Sequence, residues 1–490
     1  MSRAVLGLAS AAFLVSLANA SRLRGIPPPW TASLALSLAG LWACLKEEGR
    51  VGSARSVVLL CLTAFFATMR WHGGDDIPNS LIPFGILRDG TLSLEPFRLK
   101  FETERLSDFV IHGTSPLLSI FSPIPAVVAL PVYVLPAAFG GPPNDFGLHN
   151  LSKIAGALLT ALSVAVVYWA CRRRAGERWS ALCALWYGLG TWSWSVSSQA
   201  LHSHAPTQVG AALGLWGLLG ARPRDAALAG FGFALAFASR EDSLFFLGAA
   251  GLAALLINPR RIWAFALGAA VPIGFNAAYW LWYTGVLKPP YMGAQAHMFG
   301  GLQWGAVVGM LLSPTRGLLF YCPAALFGLW AMARRADRRW AWPMLAATAA
   351  LVLFLSFRTT WTGGQTFGPR YFAMASVLWA VALAELEGDV AANPRLRALF
   401  AAAFALSVVI HAAGGFFPYP GTFMTVEAEA ELWRWDLHPL ANLFRAEGPM
   451  GGLPAAARWA AALAFVGASI PLGRWAYRFA GLIDRPPIGQ

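Results

Sequence analysis

Charge is scarce in this sequence: Asp, Glu, Lys and Arg together make up 12% of 490 residues, about half the share usual in soluble proteins. No long polar segment interrupts the chain, which excludes a hidden soluble globular domain. Cysteine is scarce too. Cys44, Cys61, Cys171, Cys183 and Cys322 lie in or at the ends of apolar runs, without pairing or metal-type spacing, so neither a disulfide framework nor a cysteine zinc site is indicated. An internal repeat of the inverted kind common in transporters is missing as well. What fills the chain instead is apolar: 57% of residues are hydrophobic and the mean hydropathy is +0.54. In lipid such runs must be helical, because each backbone N–H and C=O needs a partner within its own segment. The 22 Trp and 32 Phe suit interfacial belts and the packed interior of a helical bundle.

The sequence therefore predicts an all-α polytopic membrane protein forming one transmembrane domain over 1–490. About fourteen spans are expected, at 4–19, 30–46, 56–70, 153–171, 179–196, 206–220, 225–239, 243–257, 262–284, 316–333, 340–357, 371–387, 398–415 and 457–473. Arg3, the first apolar run and Ala18-Asn19-Ala20 also resemble a signal peptide; the reading adopted is a retained first span. Segment 116–139 is apolar but carries Pro116, Pro123, Pro125, Pro131 and Pro136. Repeated loss of helix hydrogen bonds reads it as a broken interfacial or re-entrant segment, not a crossing.

Charge distribution orients the chain. With the N-terminus cytoplasmic, the inner loops hold Arg172, Arg173 and Arg174, Arg222 and Arg224, Arg260 and Arg261, and Arg334 through Arg339. Lys and Arg number 21 inside against 9 Asp and Glu, and 16 outside against 15, which accounts for the net charge of +13. Short basic loops on one side follow the positive-inside rule, so the basic balance orients the protein in its membrane and does not signal nucleic acid. The long loops 71–152, 285–315, 358–370 and 416–456 fall outside, and only a short basic tail follows residue 473. The chain is read as a bacterial cytoplasmic (inner) membrane protein whose working face is periplasmic or exterior.

The unusual polar residues share that face. The first outer loop opens Trp71-His72-Gly73-Gly74-Asp75-Asp76-Ile77-Pro78-Asn79-Ser80. Two adjacent carboxylates there have the chemistry of a general base, or of a base and a metal ligand; Gly-Gly-Asp-Asp is equally good material for a solvated turn. His202 and His204 form a His-x-His, read as hydrogen-bond partners for a sugar or acceptor, or as a solvated loop. Arg240-Glu241-Asp242 sets three charges between apolar runs, which fits either a wet cavity or a hairpin tip. Arg316, Arg358, Arg370 and Lys288 are outer-side cations near membrane ends, suited to a phosphate or to interfacial anchoring.

These motifs, in this order, resemble the GT-C glycosyltransferases, among them the protein O-mannosyltransferases and lipid A aminoarabinose transferases. The resemblance rests on the acidic pair, Ile86-Leu87-Arg88-Asp89-Gly90 and the Pro-rich stretch after it. It continues in Tyr168 to Arg174, in Gly190-Thr191-Trp192 and Ser198 to His204, and in Leu312 to Leu319. Trp361-Thr362-Gly363-Gly364-Gln365-Thr366-Phe367-Gly368-Pro369-Arg370-Tyr371 and Trp433-Arg434-Trp435-Asp436 complete it. It implies outer loops carrying amphipathic interfacial helices and a sugar donor linked to polyprenyl phosphate. It also implies inverting transfer to a hydroxyl of a glycan, lipid or protein acceptor. Asp75 would be the base and Asp76 would assist it or bind a divalent cation (Mg or Mn). The donor and acceptor would be met by Arg316, Arg370, Arg358, Lys288, Arg240, His202, His204, Glu241, Asp242 and Gln365. A second acidic motif common in better-known members has only Asp145 or Glu241 and Asp242 as counterparts here. The rival readings are a lipid-linked sugar flippase or transporter, and a polymerase or ligase of lipid-linked glycans.

Overall fold

A computed structural model describes residues 52–68, 76–103, 106–111, 113–142, 144–287, 298–364, 366–417 and 431–481. The expected spans at 4–19 and 30–46 lie outside these residues, as do Asp75, Lys288 and Gln365. Every later expected span falls on a helix or a helix pair. Among the described residues five helices are long and apolar enough to cross a membrane: Gly147–Cys171, Pro259–Thr284, Arg370–Ala392, Pro394–Phe416 and Ala455–Gly481. The protein is an integral membrane protein. On Ile262–Thr284 the exposed side chains are apolar, with Trp263 77% and Trp282 85% exposed, as lipid contact requires.

The chain divides into two compact units. One comprises Met1–Arg70, Val164–Val196 and Leu302–Gln490; the other comprises Trp71–Ser163 and Ser197–Gly301. In the first unit, Trp179 and Phe327 pack against Phe400, and Trp192 meets His411 edge-on. In the second, helix Asp76–Phe84 packs on Ile124–Phe139, where Phe84 and Tyr133 meet edge-to-face at 5.7 Å. Helices His204–Leu218 and Pro223–Ser239 form a hairpin. Their backbones approach where Gly210, Gly214 and Gly217 face Gly232, Phe233 and Ala229; small residues serve that purpose in membrane helix pairs.

Three sequence expectations need correction. Residues 124–139 are not broken: they form one helix with Pro131 and Pro136 inside it. Its preceding residues are irregular and include the short antiparallel pairing of Val110 with Ser119 and Ile111 with Leu118. Sixteen residues rise about 24 Å, less than the ~30 Å hydrocarbon core. The expected span 316–333 is interrupted, because Leu318–Tyr321 and Ala325–Arg334 are separated at Cys322-Pro323. Proline there has no N–H for the helix ladder. Finally, the helix expected from residue 153 begins at Asp145. Its first turns, Asp145-Phe146-Gly147-Leu148-His149-Asn150, are polar enough to pass for loop.

Candidate active site

Asp76 does not sit in a solvated turn. Asp76 opens helix Asp76–Phe84, every residue of which is buried. A carboxylate in the first turn complements the helix dipole, and Pro78 is tolerated there because the first N–H groups have no intrahelical acceptor. Gly90, at φ 66°, ends the π-helical continuation Gly85–Asp89. The Asp76 side chain is 1% exposed.

Its partner comes from the unexpected early turns of helix Asp145–Cys171. His149 Nδ1 lies 3.1 Å from Asp76 Oδ2, and His149 itself is 9% exposed. Asp76 Oδ1 is buried without a hydrogen-bond partner among the described residues. Burial, the largest influence, pushes the carboxyl pKa up. The hydrogen bond and charge of His149, the charge of His202 and the Ser152 hydroxyl together outweigh it and hold the carboxyl below its ordinary value.

Segment 198–204 is stitched to the same two helices. Asn79 Nδ2 donates to the Leu201 carbonyl at 3.0 Å, and the Leu201 N–H donates to Ser152 Oγ at 2.8 Å. Lys153 Nζ donates to the Ser198 carbonyl at 2.7 Å. These bonds bring His202 and His204 into the interior, where both are buried; the solvated-loop reading of the pair is withdrawn. Arg240 follows them. Its Nε and Nη2 bind Asp242 Oδ2 at 2.9 and 2.7 Å, and its Nη1 lies 3.5 Å from His204 Nε2. With Glu241–Ser243 in a 3-10 turn, the half-buried Arg240 and Asp242 pair with each other beside His204, more than a plain hairpin tip would provide.

Sequence reasoning therefore found Asp76, His202, His204, Arg240, Glu241 and Asp242 in one unit. It missed Asn79, His149, Ser152 and Lys153. The available signal was the spacing of His149, Ser152 and Lys153, which are i, i+3 and i+4 on one helical face.

In the other unit, Arg316 is 1% exposed. Its Nη1 donates to the carbonyls of Thr366 at 2.6 Å and Gly368 at 3.3 Å, and its Nη2 to that of Gly364 at 3.1 Å. Gly363, Gly364 and Gly368 hold positive φ of 82°, 70° and 61°, a region glycine enters without penalty. This turns alternate carbonyls of the Gly-Gly-Gln-Thr-Phe-Gly stretch onto one guanidinium. Arg316 is thus a clamp inside the loop, which corrects its reading as an outer-loop cation facing a phosphate. Arg358 reaches Thr360 Oγ1 at 3.4 Å. Arg370 is half-buried at the start of a 3-10 turn, and its buried Nε has no partner among the described residues. The same unit holds an apolar pocket of about 440 Å³ lined by Trp304, Val307, Leu311, Leu318, Val352 and Trp379.

Among the described residues no group of three or more His, Cys, Asp or Glu side chains is placed to hold an ion. Asp75, the other half of the acidic pair, lies outside the described residues.

No family model matches the chain, and no curated protein sequence matches it. Solved structures do. ArnT from Cupriavidus metallidurans, bound to undecaprenyl phosphate, is 15% identical, with 87% of this chain and 76% of ArnT covered and a TM-score of 0.51. An Archaeoglobus fulgidus oligosaccharyltransferase, in complex with Zn and sulfate, is 13% identical over 74% of this chain and 53% of its own, with a TM-score of 0.42. The likeness to ArnT (aminoarabinose transferase) gives this membrane protein a GT-C-like fold, as the outer-loop motifs implied.

Proposed function

We propose that this protein is a membrane glycosyltransferase moving a sugar from a polyprenyl-phosphate-linked donor to an acceptor hydroxyl, with inversion, on the extracytoplasmic face. The observation that carries the reading is the Asp76 carboxylate, anchored through Oδ2 by His149 and left with a buried, unengaged Oδ1, in a chain sharing ArnT's fold. A buried acceptor without a donor costs about 1–3 kcal/mol, and a substrate hydroxyl would relieve it.

In this mechanism the hydroxyl oxygen attacks the anomeric carbon from the side opposite the phosphate. The carbon–oxygen bond breaks with its electron pair leaving on the polyprenyl phosphate, and the hydroxyl proton passes to Asp76 Oδ1. A carboxylate with a lowered pKa is a weak base, so it takes the proton late, once bond formation has acidified the hydroxyl. Asp75, the base expected from the sequence, is the immediate neighbour and is compared directly in the test below. The place of Arg370 after Gly368-Pro369 in its sequence motif implies a phosphate ligand. Arg370→Ala is expected to raise the donor KM about 10- to 100-fold, the value of a charge-assisted hydrogen bond. Unchanged donor kinetics would leave Arg370 as an interfacial anchor.

The test is transfer of labelled sugar from polyprenyl-phosphate donors to an acceptor mixture by the purified protein in liposomes. Label moving into acceptor supports the reading. Donor crossing the bilayer with its sugar intact would instead make the protein a transporter. For orientation, reporters fused after Arg174 or Arg339 are expected to be cytoplasmic and reporters within 431–454 periplasmic. A cytoplasmic reporter within 85–103 would overturn that topology and make 124–139 a crossing.

A further inference from the structure

We infer that His149 is a positioning residue for the base, acting through its Nδ1 alone. The inference rests on the reading of Asp76 as the base. An ionised carboxylate has only acceptors, so the donor across the 3.1 Å contact is His149 Nδ1–H. That bond engages Oδ2, and rotation of the carboxylate would break it. Oδ1 is therefore held in one orientation as the oxygen left to receive the proton.

The bond is held from both sides. On the histidine's own helix Ser152, one turn along, bears on the same carboxylate while its Oγ accepts the Leu201 N–H. On the aspartate's helix Asn79, also one turn along, binds the Leu201 carbonyl. Both helices are thus locked to one peptide segment, and neither side chain moves without that segment. Holding a reacting group in its productive orientation contributes to kcat, and a misplacement of about 1 Å costs on the order of 100-fold. Donor affinity does not depend on it.

The engaged nitrogen makes the proposal specific. An asparagine side chain sets its amide nitrogen near the place of Nδ1, whereas glutamine sets its own near Nε2. Positioning through Nδ1 orders the variants accordingly. His149→Asn should keep kcat within about tenfold of wild type, while His149→Gln and His149→Ala should lose on the order of 100-fold, all with the donor KM unchanged. A packing role favours the larger glutamine, and an imidazole that must itself carry a proton is replaced by neither.

The experiment measures kcat and donor KM for the three variants and for Asp76→Asn in the same liposome assay, with folding checked by gel filtration in detergent. If His149→Ala does not fold, the Asn and Gln pair decides. His149→Asn well above His149→Gln in kcat supports the inference. Equal values, or glutamine above asparagine, overturn it while a low Asp76→Asn rate leaves the base reading standing. A wild-type rate in Asp76→Asn overturns the base reading itself.

Discussion

Asp76→Asn is expected to lower kcat for sugar transfer by about 100- to 10,000-fold, the usual contribution of a general base. Asparagine keeps the shape of the side chain, and its carbonyl still accepts from His149, so the buried donor is not stranded. Asp76→Ala would strand it at a cost of about 1–3 kcal/mol and confuse folding with chemistry. Asp75→Asn, made alongside, decides between the neighbours: the variant with the larger loss carries the base. The pH profile gives a second check. Hydrogen bonding and charge from His149 hold the folded Asp76 carboxyl below the ordinary carboxylate range despite burial, so the rate is expected to fall through its titration only in acid. The stability supplied by its charge follows the same sign. It is fully present above the unfolded value and is lost as the pH falls through the lower folded one. An acid limb in kcat near neutrality would belong to some other group.

Arg316→Ala is expected to act on folding before catalysis. Three backbone carbonyls lose their donor at once. Each buried carbonyl left without a donor costs about 1–3 kcal/mol. The expected result is poor recovery in detergent and a melting temperature well below wild type, with a near-normal donor KM in whatever fraction folds. Arg316→Lys should rescue little, because a single ammonium does not reproduce the planar fork that spans Gly364, Thr366 and Gly368. A fully stable Arg316→Ala protein that has lost donor use would return Arg316 to the role its sequence context implied, that of a phosphate ligand.

The two variants mark how differently the sites could be read. Trp361 to Tyr371 was visible as a motif, but its purpose was not. Its glycines and Arg370 are compatible with a phosphate loop, and only the positive φ values at Gly363, Gly364 and Gly368 turn the carbonyls of Gly364, Thr366 and Gly368 onto Arg316. The acidic pair was visible too, yet Gly-Gly-Asp-Asp reads as a turn in water. Its partner stands 73 positions away, in turns whose polarity concealed a helix.

What the sequence by itself determined is the membrane character, the helical class, the approximate helix positions among the described residues and the motif order that resembles GT-C enzymes. These depend on local composition: lipid admits a long apolar run only as a helix, and an apolar stretch announces itself residue by residue. Even there, Pro131 and Pro136 misled, because helix neighbours and local adjustment absorb a missing N–H. What only the tertiary structure decided is which polar groups meet. Burial of Asp76, its bond to His149, the interior placement of His202 and His204, and the clamp by Arg316 each join segments far apart in the chain. A polar side chain carries no mark of its partner. Inside a low-dielectric interior it must nevertheless find one, and the packing of helices selects which.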